Sequence, residues 1–288
     1  MNVFNLLFDA ILLVHVVAGF IGLVAFWIPV FARKGGRTHV RAGRVYALCA
    51  YVVTLSAVAA AVGRIVSYRV QGIGVAEQPG SYGFAVLLGY LGVVTFVMVR
   101  QGMRVLATRR APEKLRTPAH EALAWASISG SVIAVGFGLT VWSEVSPVLL
   151  GMSPIGLFTG RRMLRLMRDP GGQRMGWFYS HMASMLGAGI AFHTAFIVFG
   201  AQRLWAYEIE GPLAIVPWIL PTVVGVPAIV VWTRRYRRRF ERRAGGAHEA
   251  RITAGNHVSL IRTARSAIPA VGLDRVGALP NHGTTGTK

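Results

Sequence analysis

The residues of widest chemical range in this chain are its eight histidines, since an imidazole can ligate a metal, carry a proton or bond across helices. Five of them, His15, His39, His120, His181 and His193, fall in or beside apolar stretches. His248, His257 and His282 stand in a polar tail and are set aside. The stretch WFYSHMASMLGAGIAFHTAFIVFG, residues 177–200, holds His181 and His193 within 24 residues free of formal charge. An imidazole at membrane depth is costly without a partner, so a helix carrying two of them is expected to face inward. His15 shares a helical face with Gly19 and Gly22, and His193 shares one with Gly189 and Gly200. Counted along the predicted spans, His15 and His193 reach a matched depth, roughly 10–12 Å below the outer boundary. Glycine-lined faces admit a flat macrocycle, so this pair is expected to bind a cofactor, a haem b held by two imidazoles. Two histidines bonded across closely packed helices explain the same spacing. A second group, His39, His120 and His181, lies toward the inner side. It would suit a three-imidazole metal site, such as Zn²⁺ with one position left open to water.

Other chemistry is poorly supplied. Asp9 and Glu121 are the acids within or at the edge of predicted spans, with Glu144 at a boundary, too few for paired-carboxylate catalysis. Glu121 opens a helix, where a carboxylate favours the positive end of the dipole. No phosphate-binding loop, dinucleotide fingerprint or serine nucleophile elbow is present. The single cysteine, Cys49, excludes an intramolecular disulfide and any cysteine-built metal site.

The elements that must position these residues are membrane helices. The chain has 288 residues, 53% hydrophobic and only 15% charged, with a mean hydropathy of +0.50. That deficit of charge and the long apolar runs define an integral membrane protein. Apolar segments at 7–31, 45–66, 82–99, 121–142, 145–159, 177–200 and 213–232 predict an all-α bundle of about seven spans. Segment 145–159 is short and fits a tilted or re-entrant piece as well as a span. The net charge of +20 does not point to nucleic acid, because the cations cluster in alternate loops and in the tail. Loops after the first, third and fifth spans are basic. The others carry little charge, such as Arg69 with Glu77, Glu144, and Arg203 with Glu208 and Glu210. The positive-inside rule then places the N-terminus outside and the C-terminus in the cytoplasm. The first span is expected to stay in place rather than to be cleaved as a signal peptide. Prolines 212, 217, 221 and 227 predict a kinked or locally unwound last span.

Two domains follow, 1–233 in the membrane and 234–288 as a basic cytoplasmic tail without regular structure. The partners expected are the lipid bilayer and, through the arginines of 234–243, anionic lipid headgroups. In the segment 33–46, Gly35-Gly36 predicts a tight turn that presents Lys34, Arg37 and His39 at headgroup level. It reads as a topology-fixing basic loop, or as an anion contact.

These residues also carry a resemblance. His15 with Gly19, Lys34-Gly-Gly-Arg-Thr-His39 with Gly43-Arg44 and Tyr46, and Trp177, His181, Met185, Gly189 with Thr194-Ala195-Phe196 resemble a family of predicted bacterial multi-pass membrane proteins of unknown function. The resemblance implies a protein of the bacterial cytoplasmic (inner) membrane and no defined activity. Three functional classes remain open: a b-type haem or redox protein, a transporter or channel, and an accessory membrane protein without catalysis.

Overall fold

The computed structural model describes residues 3–172, 175–201 and 216–266, and no strand occurs among them. The helices are α1 (Val3–Phe31), α2 (Arg37–Val70), α3 (Pro79–Ala107), α4 (Pro118–Thr140), α5 (Ser146–Met152), α6 (Pro154–Arg168), α7 (Gly176–Ala195) and α8 (Val216–Ser266). A π-helical turn, Phe196–Ala201, prolongs α7. Arg203, Glu208, Glu210 and Pro212 lie outside the described residues, as do positions 267–288.

Six helices are long and apolar enough to cross a membrane: α1 to α4, α7 with its π turn, and α8 over Val216–Arg242. The chain is therefore an all-α, multi-pass membrane protein. Its outer surface is apolar, with Val24, Leu48, Val132, Ile133 and Leu139 all more than 60% exposed. Such a surface suits contact with lipid. The helix α3 is the hub: 56% of its most apolar window is buried, against 17% for α1. One core joins Phe26, Tyr46, Val99 and Phe192, and a second joins Val97, Val105, Ala124 and Met163.

Neighbouring helices run antiparallel, as specific contacts show. His15 meets Ser56 and Gly22 meets Cys49 across α1 and α2. Gly92 meets Val58, Tyr90 meets Ser131, and Gln101 meets both His120 and Ser180. Phe199 meets Trp218, and Ile190 meets Gly225, so α8 runs back along α7.

The segment expected at 145–159 is split into α5 and α6, and neither half alone meets the criteria for a span. Yet Gly138 packs on Leu149 and Leu150, Gly156 on Ser127 and Ser131, and Gly160 on Ala124. Together α5 and α6 retrace α4 in the opposite direction, making one kinked leg of the alternating bundle. Its break has a local cause. Pro154 has no N–H, so the Leu150 carbonyl loses its helical donor and takes the Ser153 hydroxyl instead, at 2.8 Å. Ser153 itself stays helical, with φ −57° and ψ −33°. Tyr90 of α3 then enters the ladder. The Gly156 N–H donates to the Tyr90 hydroxyl at 2.9 Å, which lies 2.8 Å from the Ser153 carbonyl and 3.1 Å from that of Met152. The Ser127 hydroxyl donates to the Gly156 carbonyl at 2.9 Å.

The last span, expected to be kinked or locally unwound, stays helical through Pro221 and Pro227 rather than unwinding there. Contacts divide the chain into two units, Met1–Thr233 and Arg234–Lys288. In the second, residues 234–266 are helical where no regular structure was expected. Alanine, arginine and leucine, all good helix formers, outweigh the few glycines there.

Candidate functional site

The ends of α1, α3 and α6 and the beginnings of α2, α4 and α7 share one end of the bundle, and most of the loop cations lie there. Gly35 makes the turn into α2 with φ +76°, a left-handed conformation that suits glycine. The Gly36 N–H closes it on the Arg33 carbonyl at 2.9 Å. This turn brings the segment after α1 back onto the helix it has just left. Lys34 donates to the carbonyls of Pro29 and Val30, both at 2.7 Å, and His39 Nδ1 lies 3.1 Å from the Pro29 carbonyl. Both side chains thus cap carbonyls that α1 leaves without a helical partner. Partial burial holds the Lys34 ammonium below its ordinary range.

His181, in the second turn of α7, places Nδ1 2.9 Å from the Gly102 carbonyl of α3. A carbonyl only accepts, so Nδ1 carries the proton in both His39 and His181. In the neutral form of each ring the lone pair then lies on Nε2. The two rings stand with centroids 6.5 Å apart and planes inclined by 64°. Lys34 lies within electrostatic reach of both.

His120 opens α4 under a Thr117 cap and is 2% exposed. Its Nε2 donates to Gln101 Oε1 at 2.6 Å, and Gln101 Nε2 donates to the Ser180 hydroxyl at 3.1 Å. A polar chain thus crosses from α4 through α3 to α7 and ends beside His181. His120 Nδ1 is buried with no hydrogen-bond partner among the described residues. The expected metal set of His39, His120 and His181 is corrected in one respect. His39 and His181 come together, while His120 is spent on Gln101. No group of three His, Cys, Asp or Glu poised for a metal occurs among the described residues. Glu121 forms an exposed ion pair with Arg116 at 3.2 Å, a contact of small weight.

The second expected pair, His15 and His193, is not brought together. His15 Nδ1 bonds the Ser56 hydroxyl at 2.8 Å. His193 uses both nitrogens: Nδ1–H donates to the Gly189 carbonyl at 2.7 Å, and Nε2 accepts from the Trp27 indole at 3.0 Å. Trp27 lies on the same helix as His15 but about 18 Å farther along its axis at 1.5 Å per residue. The matched depth fails because α1 and α7 interlock in a shifted register. Phe26 sits against Gly189, and Phe192 sits against Gly22. The flat groups that these glycines admit are phenyl rings of the neighbouring helix. Gly19 faces open space.

Sequence reasoning missed Gln101, Trp27 and Tyr90, each of which makes polar contacts between helices. A buried glutamine flanked by Arg100 and Arg104 reads as one more polar residue of a basic loop, and only its 3% exposure separates it from them. No protein-family model, curated protein or solved structure matches the chain.

Proposed function

We propose that this integral membrane protein is a redox protein that holds a b-type haem between His39 and His181. The observation that carries this reading is the pairing of two imidazoles, each anchored through Nδ1–H to a carbonyl, so that Nε2 is the nitrogen left to ligate. Outer-shell bonds of that kind fix ring orientation in metal-ligating histidines. The two rings stand with centroids 6.5 Å apart and would hold one haem iron between them. With no group of three His, Cys, Asp or Glu poised for a metal among the described residues, the pair would suit an ion that takes its other ligands from a macrocycle. Lys34, within electrostatic reach of both rings, would supply a cation for a propionate. When bound, such a group supplies one-electron transfer; the chain's own part is to hold, orient and neutralise it.

The test is an absorbance spectrum with iron analysis of protein purified from haem-supplemented cells. A reducible b-type spectrum is expected, lost in His39→Ala and in His181→Ala but kept in His15→Ala and His193→Ala. A colourless, iron-free wild type, or a spectrum that survives His181→Ala, overturns the reading.

The same reading places the basic end in the cytoplasm of a bacterial cell, with the N-terminus outside. Support comes from the loop charges, the alternating legs of the bundle and the resemblance of the His15–Gly19, Lys34–Tyr46 and Trp177–Phe196 motifs to bacterial multi-pass proteins. It also places residues 234–243 on anionic headgroups. Reporter fusions after Arg109 and Arg168 should read cytoplasmic and one after Val75 periplasmic. A periplasmic signal at Arg168 contradicts the orientation.

A further inference from the structure

Between α4 and α6, away from the histidines, runs a cleft of about 380 Å³ open to the outside of the bundle. Trp125 and Ile128 of α4 and Leu157 of α6 form its apolar part. Arg161, Arg165 and Arg168 close its other part, stacked along one face of α6 at i, i+4 and i+7. All three arginines are exposed, and no ion pair joins any of them to another described residue. Position along the bundle fixes how the two parts sit relative to a bilayer. Gly160 packs on Ala124, so the residues after it lie beside the first turns of α4, at the basic end. Leu157 and Ile128 lie deeper, next to the lipid-facing Phe158, which is 67% exposed. The cleft therefore runs from an apolar floor at hydrocarbon depth to three unneutralised guanidinium groups at headgroup level. Its size falls in the range of small-molecule clefts, about 300–1000 Å³.

We propose that this cleft is a binding site for an anionic phospholipid. One acyl chain lies along Trp125, Ile128 and Leu157, and the phosphate is held by Arg161, Arg165 and Arg168. A guanidinium fork matches phosphate oxygens two at a time, which an ammonium does not. A zwitterionic lipid would bring its own cation to a rim that already carries three. The site shares no residue with the histidine pair, so it stands or falls alone.

The test uses the full-length protein in bilayers that contain brominated phosphatidylglycerol or brominated phosphatidylcholine. Trp125 quenching is isolated as the difference between wild type and Trp125→Phe. At low salt the anionic lipid is expected to occupy the site with about a tenfold preference, falling toward none at high salt. The Arg161→Gln, Arg165→Gln, Arg168→Gln triple variant should lose the preference. The corresponding triple Lys variant keeps the charge that sets topology and should retain only part of it. Inorganic phosphate should not displace the quencher. Equal quenching by the two lipids in wild type at low salt, an unchanged preference in the triple Gln variant, or displacement by inorganic phosphate would each overturn the proposal.

Discussion

Tyr90→Phe is expected to lower the stability of the helix bundle by about 2–4 kcal/mol, although it removes one oxygen atom. That oxygen accepts from the Gly156 N–H and faces the carbonyls of Met152 and Ser153, all at a buried break between α5 and α6. In a soluble loop, water would replace it. Here lipid and packed side chains exclude water, so each group left alone keeps its desolvation cost. Straightening the helix to restore the Gly156 to Met152 bond is opposed by Pro154, whose ring clashes with the preceding turn. The measurement is the unfolding midpoint in mixed detergent, with Ser131→Ala as comparison. Ser131 touches the same hydroxyl at a long 3.4 Å and should cost less than about 1 kcal/mol. A Tyr90→Phe protein as stable as wild type would show that the hydroxyl does not hold the break.

The second large effect is expected at the glycines where α6 meets α4. A methyl group at Gly160 would overlap the Ala124 carbonyl oxygen, and one at Gly156 would lie 2.5 Å from that of Ser127 and 3.0 Å from the Tyr90 hydroxyl. These neighbours are backbone or are themselves bonded, so they cannot swing aside as a side-chain tip would. The helices must part, and small residues at such crossings are what allow membrane helices to associate. Gly160→Ala should cost about 2–3 kcal/mol and Gly160→Val more. Gly136→Ala and Gly151→Ala, which meet nothing within 4 Å, should be neutral or gain up to about 1 kcal/mol from helix propensity. Thermal unfolding of the four variants in one detergent decides it. Equal midpoints for Gly160→Ala and Gly136→Ala would refute the close approach.

How much of this was legible in the sequence depended on the length scale of each signal. Hydropathy runs and loop charges are sums over many residues, so an all-α membrane bundle and its basic end could be read directly. Residue 145 onward was harder, because α6 carries Arg161, Arg162, Arg165 and Arg168 on a helix of 15 residues. Its place beside α4 comes from Gly156 and Gly160, which no hydropathy window records. Histidine depths were read by counting from the predicted span ends, and that count cannot see register. The Phe26–Gly189 and Phe192–Gly22 contacts shift α7 along α1 and so separate His193 from His15. By contrast, Gly35-Gly36 was legible as a turn because only the local chain decides it, and the turn is what returns His39 to the end of α1.

The kinked leg has a further meaning when passes are counted for parity. His39 begins α2 and His181 begins α7, and the two rings meet at one end of the bundle. That requires an even number of passes between them: α2, α3, α4 and the pair α5–α6. Without α5–α6 the number is odd, α7 starts at the opposite end, and the two imidazoles face different compartments. The leg least able to enter a membrane by its own composition is thus the one on which the meeting of the histidines depends. It is held in place by one tyrosine hydroxyl and two glycines that lie nowhere near them in sequence.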